Sequence, residues 1–159
     1  MRFGLLSDSH GRVERTRRAI ERLLAIGVDE LIHLGDIETE SVIDALVGHP
    51  VRLVFGNCDD VRALSRYCEY MSLAHQHPAG RIDVGGRSIV YTHGHLNGEL
   101  SGALDSGVDY LLHGHTHEIR DERIGPTRII NPGALHRASR YTVAVLDVFD
   151  DSVVTIEVS

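Results

Sequence analysis

Apolar residues in this chain fall into short continuous runs, separated by stretches in which they recur every third or fourth position. Phe3–Leu6, Leu31–Leu34 and Val51–Phe55 are the first three runs, of a length that suits strands buried on both faces. Between them, Val13, Ile20, Leu23 and Leu24 predict an amphipathic helix over residues 13–26, ended by Gly27. Val42, Ile43, Leu46 and Val47 predict a second helix, stopped by Gly48 and Pro50. Strand, helix, strand, helix, strand implies right-handed crossovers and a parallel sheet. Ligands of such sheets bind beyond the carboxyl ends of the strands.

The rest of the chain is less regular. Val61–Tyr67 predicts a short helix. Arg81–Val84 and Arg87–Thr92, joined by Gly85-Gly86, predict a hairpin. A helix is expected from Asn97, as its cap, through Leu104, ended by Gly107. Strands follow at Asp109–Leu112 and Arg128–Ile130, the latter leading into a turn at Asn131-Pro132-Gly133. Tyr141–Val148 and Val153–Val158 predict a closing antiparallel pair. The later strands are expected to form a second sheet packed on the first, with helices outside. No repeat, linker or low-complexity stretch interrupts residues 1–159, a length that suits one domain.

The polar residues that end these runs change the picture. Five apolar runs each end in metal-ligand residue types: Asp8 and His10, Asp36, Asn57 and Asp59, His93 and His95, and His115 and His117. A lone histidine after a strand is ordinarily a surface imidazole. Five clusters at five strand ends are not explained by packing. In an extended chain, alternate side chains share one side, so His115 and His117 can aim at one point.

Composition narrows the function classes. A net charge of −7 works against general nucleic-acid binding, which needs a basic footprint, and no Trp with few other aromatics argues against a base-stacking platform. Met1–Leu6 reaches Ser7-Asp8 too soon for a signal-peptide core, and no apolar run approaches a membrane span. Two cysteines, Cys58 and Cys68, make no disulfide framework, so a reducing cytoplasm is the expected location. The face of the first helix that carries Arg15, Arg18 and Arg22 is expected to be solvated and supported by Glu14–Arg18 pairing.

Asp8, His10, Asp36, Asn57, His93, His115 and His117 together offer two carboxylates, four imidazoles and one amide oxygen. That exceeds one tetrahedral zinc site. It suits two divalent ions about 3.5–4 Å apart sharing a carboxylate. A set without thiolate fits manganese first, with nickel, iron, zinc and cobalt as alternatives. Two such ions against two carboxylates and a hydroxide leave about one positive charge, which favours an anionic phosphate.

Asp8-x-His10, Gly35-Asp36, Gly56-Asn57-x-Asp59, His93-Gly94-His95 and Gly114-His115-x-His117 resemble, in order and spacing, the five motifs of the calcineurin-like metallophosphoesterases. With Gly56-Asn57-Cys58-Asp59 and Asn131-Pro132-Gly133, the chain is most similar to their small prokaryotic phosphodiesterase branch. The resemblance implies a four-layer α/β/β/α sandwich of two mixed sheets, with the metal site at strand C-terminal ends. It implies that Asp8, His10 and His117 hold one metal, that Asn57, His93 and His115 hold the other, and that Asp36 bridges. It further implies in-line attack of a metal-bound hydroxide on a phosphate-ester substrate.

Cys58 stands where many members of that superfamily have a histidine as general acid. Its expected role is that of a small buried packing residue. The expected catalytic residues are then His95, as the remaining acid, and Asp59, which orients its neighbours. His33 is expected within its strand, and His49, His75, His77 and His136 are expected to be exposed. Ala134 replaces the serine of many relatives after Asn-Pro-Gly, leaving the Gly133 and Ala134 N–H groups as candidate contacts to the site. Two other readings stay open: a phosphomonoesterase using the same centre, and an interaction scaffold like the retromer's metallophosphoesterase-like subunit. A homo-oligomer is compatible with this sequence.

Overall fold

A computed structural model describes residues 1–159. The first sheet has six strands: β1 (Arg2–Leu6), β2 (Glu30–His33), β3 (Val51–Val54), β4 (Ala74–Gln76), and β10 (Thr142–Asp147) and β11 (Ser152–Glu157) from the end of the chain. Their order is β11-β10-β1-β2-β3-β4. The second sheet has five, in the order β5-β6-β7-β9-β8: β5 (Ala79–Val84), β6 (Arg87–Thr92), β7 (Tyr110–Leu112), β8 (Ile119–Ile124) and β9 (Thr127–Pro132). Helices α1 (Val13–Ile26), α2 (Glu40–Leu46) and α3 (Val61–Tyr70) cover the first sheet, and α4 (Asn97–Asp105) covers the second.

Strand parity builds the layers. In β1, Leu6 joins the core under the first three helices, while Phe3 and Leu5 face the second sheet. Leu31 and Ile32 divide in the same way on β2, as do Leu53 and Val54 on β3. A third cluster, with Ala103, Val108, Leu111 and Ile129, lies under α4. Three apolar interlayers separate four layers, an α/β/β/α sandwich with two mixed sheets.

The closing hairpin departs from expectation, because it joins the first sheet rather than the second. β10 pairs antiparallel with β1, Phe3 opposite Leu146 and Leu5 opposite Ala144. The physical reason lies in Val143–Leu146, which is apolar on both faces: Val143 and Val145 reach the helix layer, and Ala144 and Leu146 reach the inter-sheet layer. Such a strand belongs inside a sheet, and β1 has a vacant side opposite β2. β11 then forms the edge, with Val153 and Ile156 half-buried and its other four residues exposed.

Two strands carried no readable pattern. β4 is Ala-His-Gln, and β8 is Ile-Arg-Asp-Glu-Arg-Ile, almost wholly exposed. Both lie at sheet edges, where charge discourages pairing with other chains. Asn131 and Pro132 end β9 rather than forming a turn outside it. Leu96 caps α4, so Asn97 is its first residue and not its cap. α1 is anchored not through a Glu14–Arg18 pair but through Arg15. The Arg15 guanidinium donates to the Leu135 carbonyl at 2.7 Å and lies 3.5 Å from the Tyr141 ring centroid. No helix is long and apolar enough to cross a membrane.

Candidate metal centre

Five loops, after β1, β2, β3, β6 and β7, converge at the C-terminal ends of their strands. They are laced through the backbone: Asp8 N–H donates to Gly35 O at 3.0 Å, His10 N–H to Asp36 O at 2.9 Å, and Gly114 N–H to His93 O at 2.9 Å. Asp8, His10, Asp36, His115 and His117 all have left-handed backbones, with φ of 55°, 42°, 54°, 69° and 60°. Each such non-glycine residue costs about 1–3 kcal/mol and persists only where the surroundings over-determine it. Strain concentrated on five of the seven expected ligands marks a functional site.

The donor atoms lie at ligand–ligand distances. Asp36 Oδ2 is 3.5 Å from His10 Nε2 and 3.4 Å from His93 Nε2. His117 Nε2 is 3.1 Å from Asp8 Oδ1 and 3.4 Å from His10 Nε2. Ligands bound to one ion at about 2.0–2.2 Å are separated by roughly such distances. Nor are these contacts well-made hydrogen bonds: Asp8 Oδ1 and His93 Nε2 are buried without a hydrogen-bonding partner. Orphaned buried atoms are costly unless something else satisfies them, and a cation fits between them.

The opposite ring nitrogens are tied down. His10 Nδ1 meets Glu38 Oε1 at 2.6 Å, His93 Nδ1 meets Leu34 O at 2.8 Å, and His117 Nδ1 meets Arg137 O at 3.3 Å. Each contact fixes a tautomer with Nδ1 protonated and leaves the Nε2 lone pair facing inward, as metal-binding histidines require.

The second half of the site is more open. His115 is exposed, its ring 5.1 Å from that of His93, and its backbone N–H donates to Asp8 Oδ2 at 3.1 Å. Asn57 is exposed at the rim beside Cys58. The structure thus brings together the donor atoms of Asp8, His10, Asp36, His93 and His117, and sets Asn57 and His115 beside them. Asp59 collects three backbone donors, Ile37, Glu38 and Gly56, each at 2.7 Å, and so fastens the β3 loop to the β2 loop. It positions other groups rather than facing the centre. Burial nonetheless raises the Asp59 carboxyl. The His95 ring lies 5.4 Å from His93 and 6.2 Å from His115, and its buried Nδ1 has no partner.

Cys58 is exposed, which corrects the expectation of a buried packing residue. The tight turn at Gly56 sends its backbone N–H to Asp36 Oδ1 at 2.9 Å and leaves its side chain at the mouth. Desolvation and the Asp36 carboxylate push its thiol up to about 11. Burial would raise Asp8 and Asp36, but His117 for the first and His93 for the second hold both below the ordinary carboxylate value. Burial, then His93 and His115, lowers His95.

His33 lies in its strand, fully buried. Its Nδ1 accepts from Gly35 N–H at 3.2 Å and its Nε2 meets Ser9 Oγ at 2.8 Å. His77 is exposed, whereas His49 and His75 are half-buried. His136 is also half-buried, not exposed, and its ring lies 5.4 Å from that of His10. The Gly133 N–H is spent on Asn131 Oδ1 rather than on the site, and Ala134 is buried, bridged to Tyr141.

Several supporting residues escaped the pattern. Ser7 Oγ donates to Asp8 Oδ2 at 2.6 Å. Asn131 Nδ2 holds Gly114 O and Thr116 Oγ1, fixing the histidine loop. Glu38 and the Arg137 carbonyl orient the His10 and His117 imidazoles from positions with no motif of their own. Among them only Asn131 had a visible signal, the Asn-Pro-Gly tripeptide.

The domain model of the calcineurin-like phosphoesterase superfamily matches residues 1–151. The chain belongs to that superfamily. This calcineurin-like phosphoesterase is 31% identical over 155 residues to the probable metallophosphoesterase YsnB of Bacillus subtilis, covering 90% of this chain and 83% of that protein. It is 29% identical over 140 residues to phosphodiesterase MJ0936 of Methanocaldococcus jannaschii, covering 84% and 83%. Its fold superposes on a solved archaeal phosphodiesterase with a TM-score of 0.89 at 26% identity, covering 99% and 100% of the two chains. Divalent metal ions serve this family, in keeping with the donor groups described above.

Proposed function

We propose that this phosphoesterase is a phosphodiesterase whose chain holds two divalent ions, manganese foremost. Asp8, His10 and His117 would hold one, Asn57, His93 and His115 the other, and Asp36 both. The observation that carries this reading is Asp36 Oδ2, within 3.5 Å of imidazole nitrogens from two different loops. When bound, the ions supply an activated water nucleophile and positive charge for the phosphoryl oxygens.

The chain's own residues do the rest. Glu38, Leu34 O and Arg137 O orient the ligand imidazoles. The buried carboxylates stay ionised because histidines face them. His95 stands beside the open half, where its imidazole can meet the departing oxygen. Its lowered pKa makes it mostly neutral at pH 7, so it serves there mainly by hydrogen bonding. Names of relatives support the diester preference: phosphodiesterase for one curated protein and for the solved archaeal structure. The test is side-by-side hydrolysis of bis(p-nitrophenyl) phosphate and p-nitrophenyl phosphate with Mn2+, before and after chelation. A higher chelator-sensitive kcat/KM on the diester is expected. Faster monoester turnover would favour the phosphomonoesterase, absent turnover would leave the scaffold reading, and turnover that survives chelation would contradict the metal centre.

A further inference from the structure

The protein carries a net charge of −7, and His10 itself meets the Glu38 carboxylate at 2.6 Å, yet on its other side the chain sets His136 and Arg12 together. The segment Leu135–Arg137 is pinned along this side. Leu135 N–H donates to Ser7 O at 3.1 Å, the Leu135 carbonyl takes the Arg15 guanidinium, and the Arg137 carbonyl takes His117 Nδ1. Arg137 itself has a left-handed backbone, φ 48°. Between these ties His136 is held with its ring 5.4 Å from that of His10. Arg12 Nε donates to His136 Nδ1 at 3.3 Å. That bond makes Nδ1 the acceptor, so the neutral imidazole carries its proton on Nε2. Neither that Nε2–H nor the terminal nitrogens of Arg12 has a partner in the protein. A groove of about 370 Å³ continues outward from Arg12, with Arg15 and Arg18 along it and Glu14 as its one acid.

We infer that Arg12 and His136 form an anion subsite for a second phosphate of the substrate, one linkage away from the phosphate that reacts. Planar guanidinium donors suit phosphate oxygens, and the pinned loop presents His136 already oriented. The distances set the reach. The His136 ring adjoins a proposed metal ligand, and Arg12 lies one hydrogen bond beyond it. A group bound there belongs to the same small molecule as the reacting phosphate. The second phosphate can be joined through an anhydride or through a sugar; the recognising chemistry is shared.

The inference rests on the proposed phosphodiesterase reading, and the experiment separates the two. With bis(p-nitrophenyl) phosphate as reporter and Mn2+ in excess, adenosine 5′-monophosphate, adenosine 5′-diphosphate and adenosine 3′,5′-bisphosphate are compared as competitive inhibitors. The three share one nucleoside, so differences report the second phosphate. At least one two-phosphate nucleotide should bind about tenfold more tightly than the monophosphate, and which one identifies the linkage. Arg12→Ala should erase that advantage, and Arg12→Lys should restore part of it. Each variant is read as the ratio of two-phosphate to monophosphate affinity within the same protein, at matched metal content, because Arg12 also holds His136 beside His10. Calorimetric titration of the same nucleotides reads the subsite without turnover. An absent reporter rate with intact, Arg12-dependent two-phosphate binding would overturn the phosphodiesterase reading and leave the subsite standing. Equal affinity for all three nucleotides, or an advantage that survives Arg12→Ala, would overturn the subsite.

Discussion

Asp36 sets one carboxylate oxygen between His10 and His93, while its other oxygen accepts the Cys58 N–H. In the proposed centre, a side chain shared in this way could not be replaced by its amide without losing the charge that would offset two cations. Asp36→Asn should therefore lower activity at least about a hundredfold through loss of bound metal. The check is kcat/KM together with metal content at limiting metal, and wild-type rates there would contradict the shared role. Cys58 raises a different question. A thiol pushed up to about 11 lies far from the pKa that suits an acid at neutral pH. Rates should then fall steeply as the leaving group becomes more basic. Cys58→His should flatten that dependence, since the exposed position leaves room for an imidazole. The measurement is the slope of log rate against leaving-group pKa, with metal content matched. A wild-type slope near zero, with chemistry limiting the rate, would show a competent acid already present; His95→Ala should then steepen it.

At the scale of elements, the site exists because strand-end loops press together, and glycines permit it. A Cβ added to Gly56 would stand 2.1 Å from Asp36 Oδ1 and 2.7 Å from the Asp36 backbone nitrogen. Something must shift, and one of the atoms in the way is backbone. Gly56→Ala is expected to cut metal affinity and activity at least about tenfold while leaving the far-ultraviolet spectrum unchanged. A fully active Gly56→Ala would mean that the loops have slack the structure does not show. Elements with a strong pattern were legible from their residues alone. The α1 periodicity, the Gly27 stop and the Gly85-Gly86 hairpin are all found, the last with left-handed φ at both glycines. β4 and β8 were not legible, because edge strands need no apolar face. β10 was legible as a strand but not in its partner, since pairing across some 140 residues leaves no local trace.

For the whole molecule, the same limit applies to the site. Residue types at strand ends pointed to the donor set, because ligand chemistry restricts which side chains serve. The contacts of Glu38, Arg137 and His136 were illegible, because each depends on loops distant in sequence meeting in space. Global stability carries a further signature, from His33. Complete burial pushes its pKa from the ordinary 6.5 down to about 4. Between those values the unfolded chain binds a proton that the folded chain refuses. Stability of the metal-free protein should therefore fall as pH drops from about 6.5 to 4, by on the order of 3 kcal/mol from this residue. Denaturant midpoints across that window should show a shallower pH slope for His33→Gln than for wild type, and identical slopes would contradict a neutral buried His33.

The proposed dinuclear centre is tested most directly by counting metal. Purified protein is stripped with a chelator, titrated with Mn2+, and assayed for elemental content and phosphodiesterase rate at each point. Two ions per chain at saturation are expected, with activity lost on stripping and restored only as the second equivalent enters. Saturation at one ion per chain with full activity would contradict it.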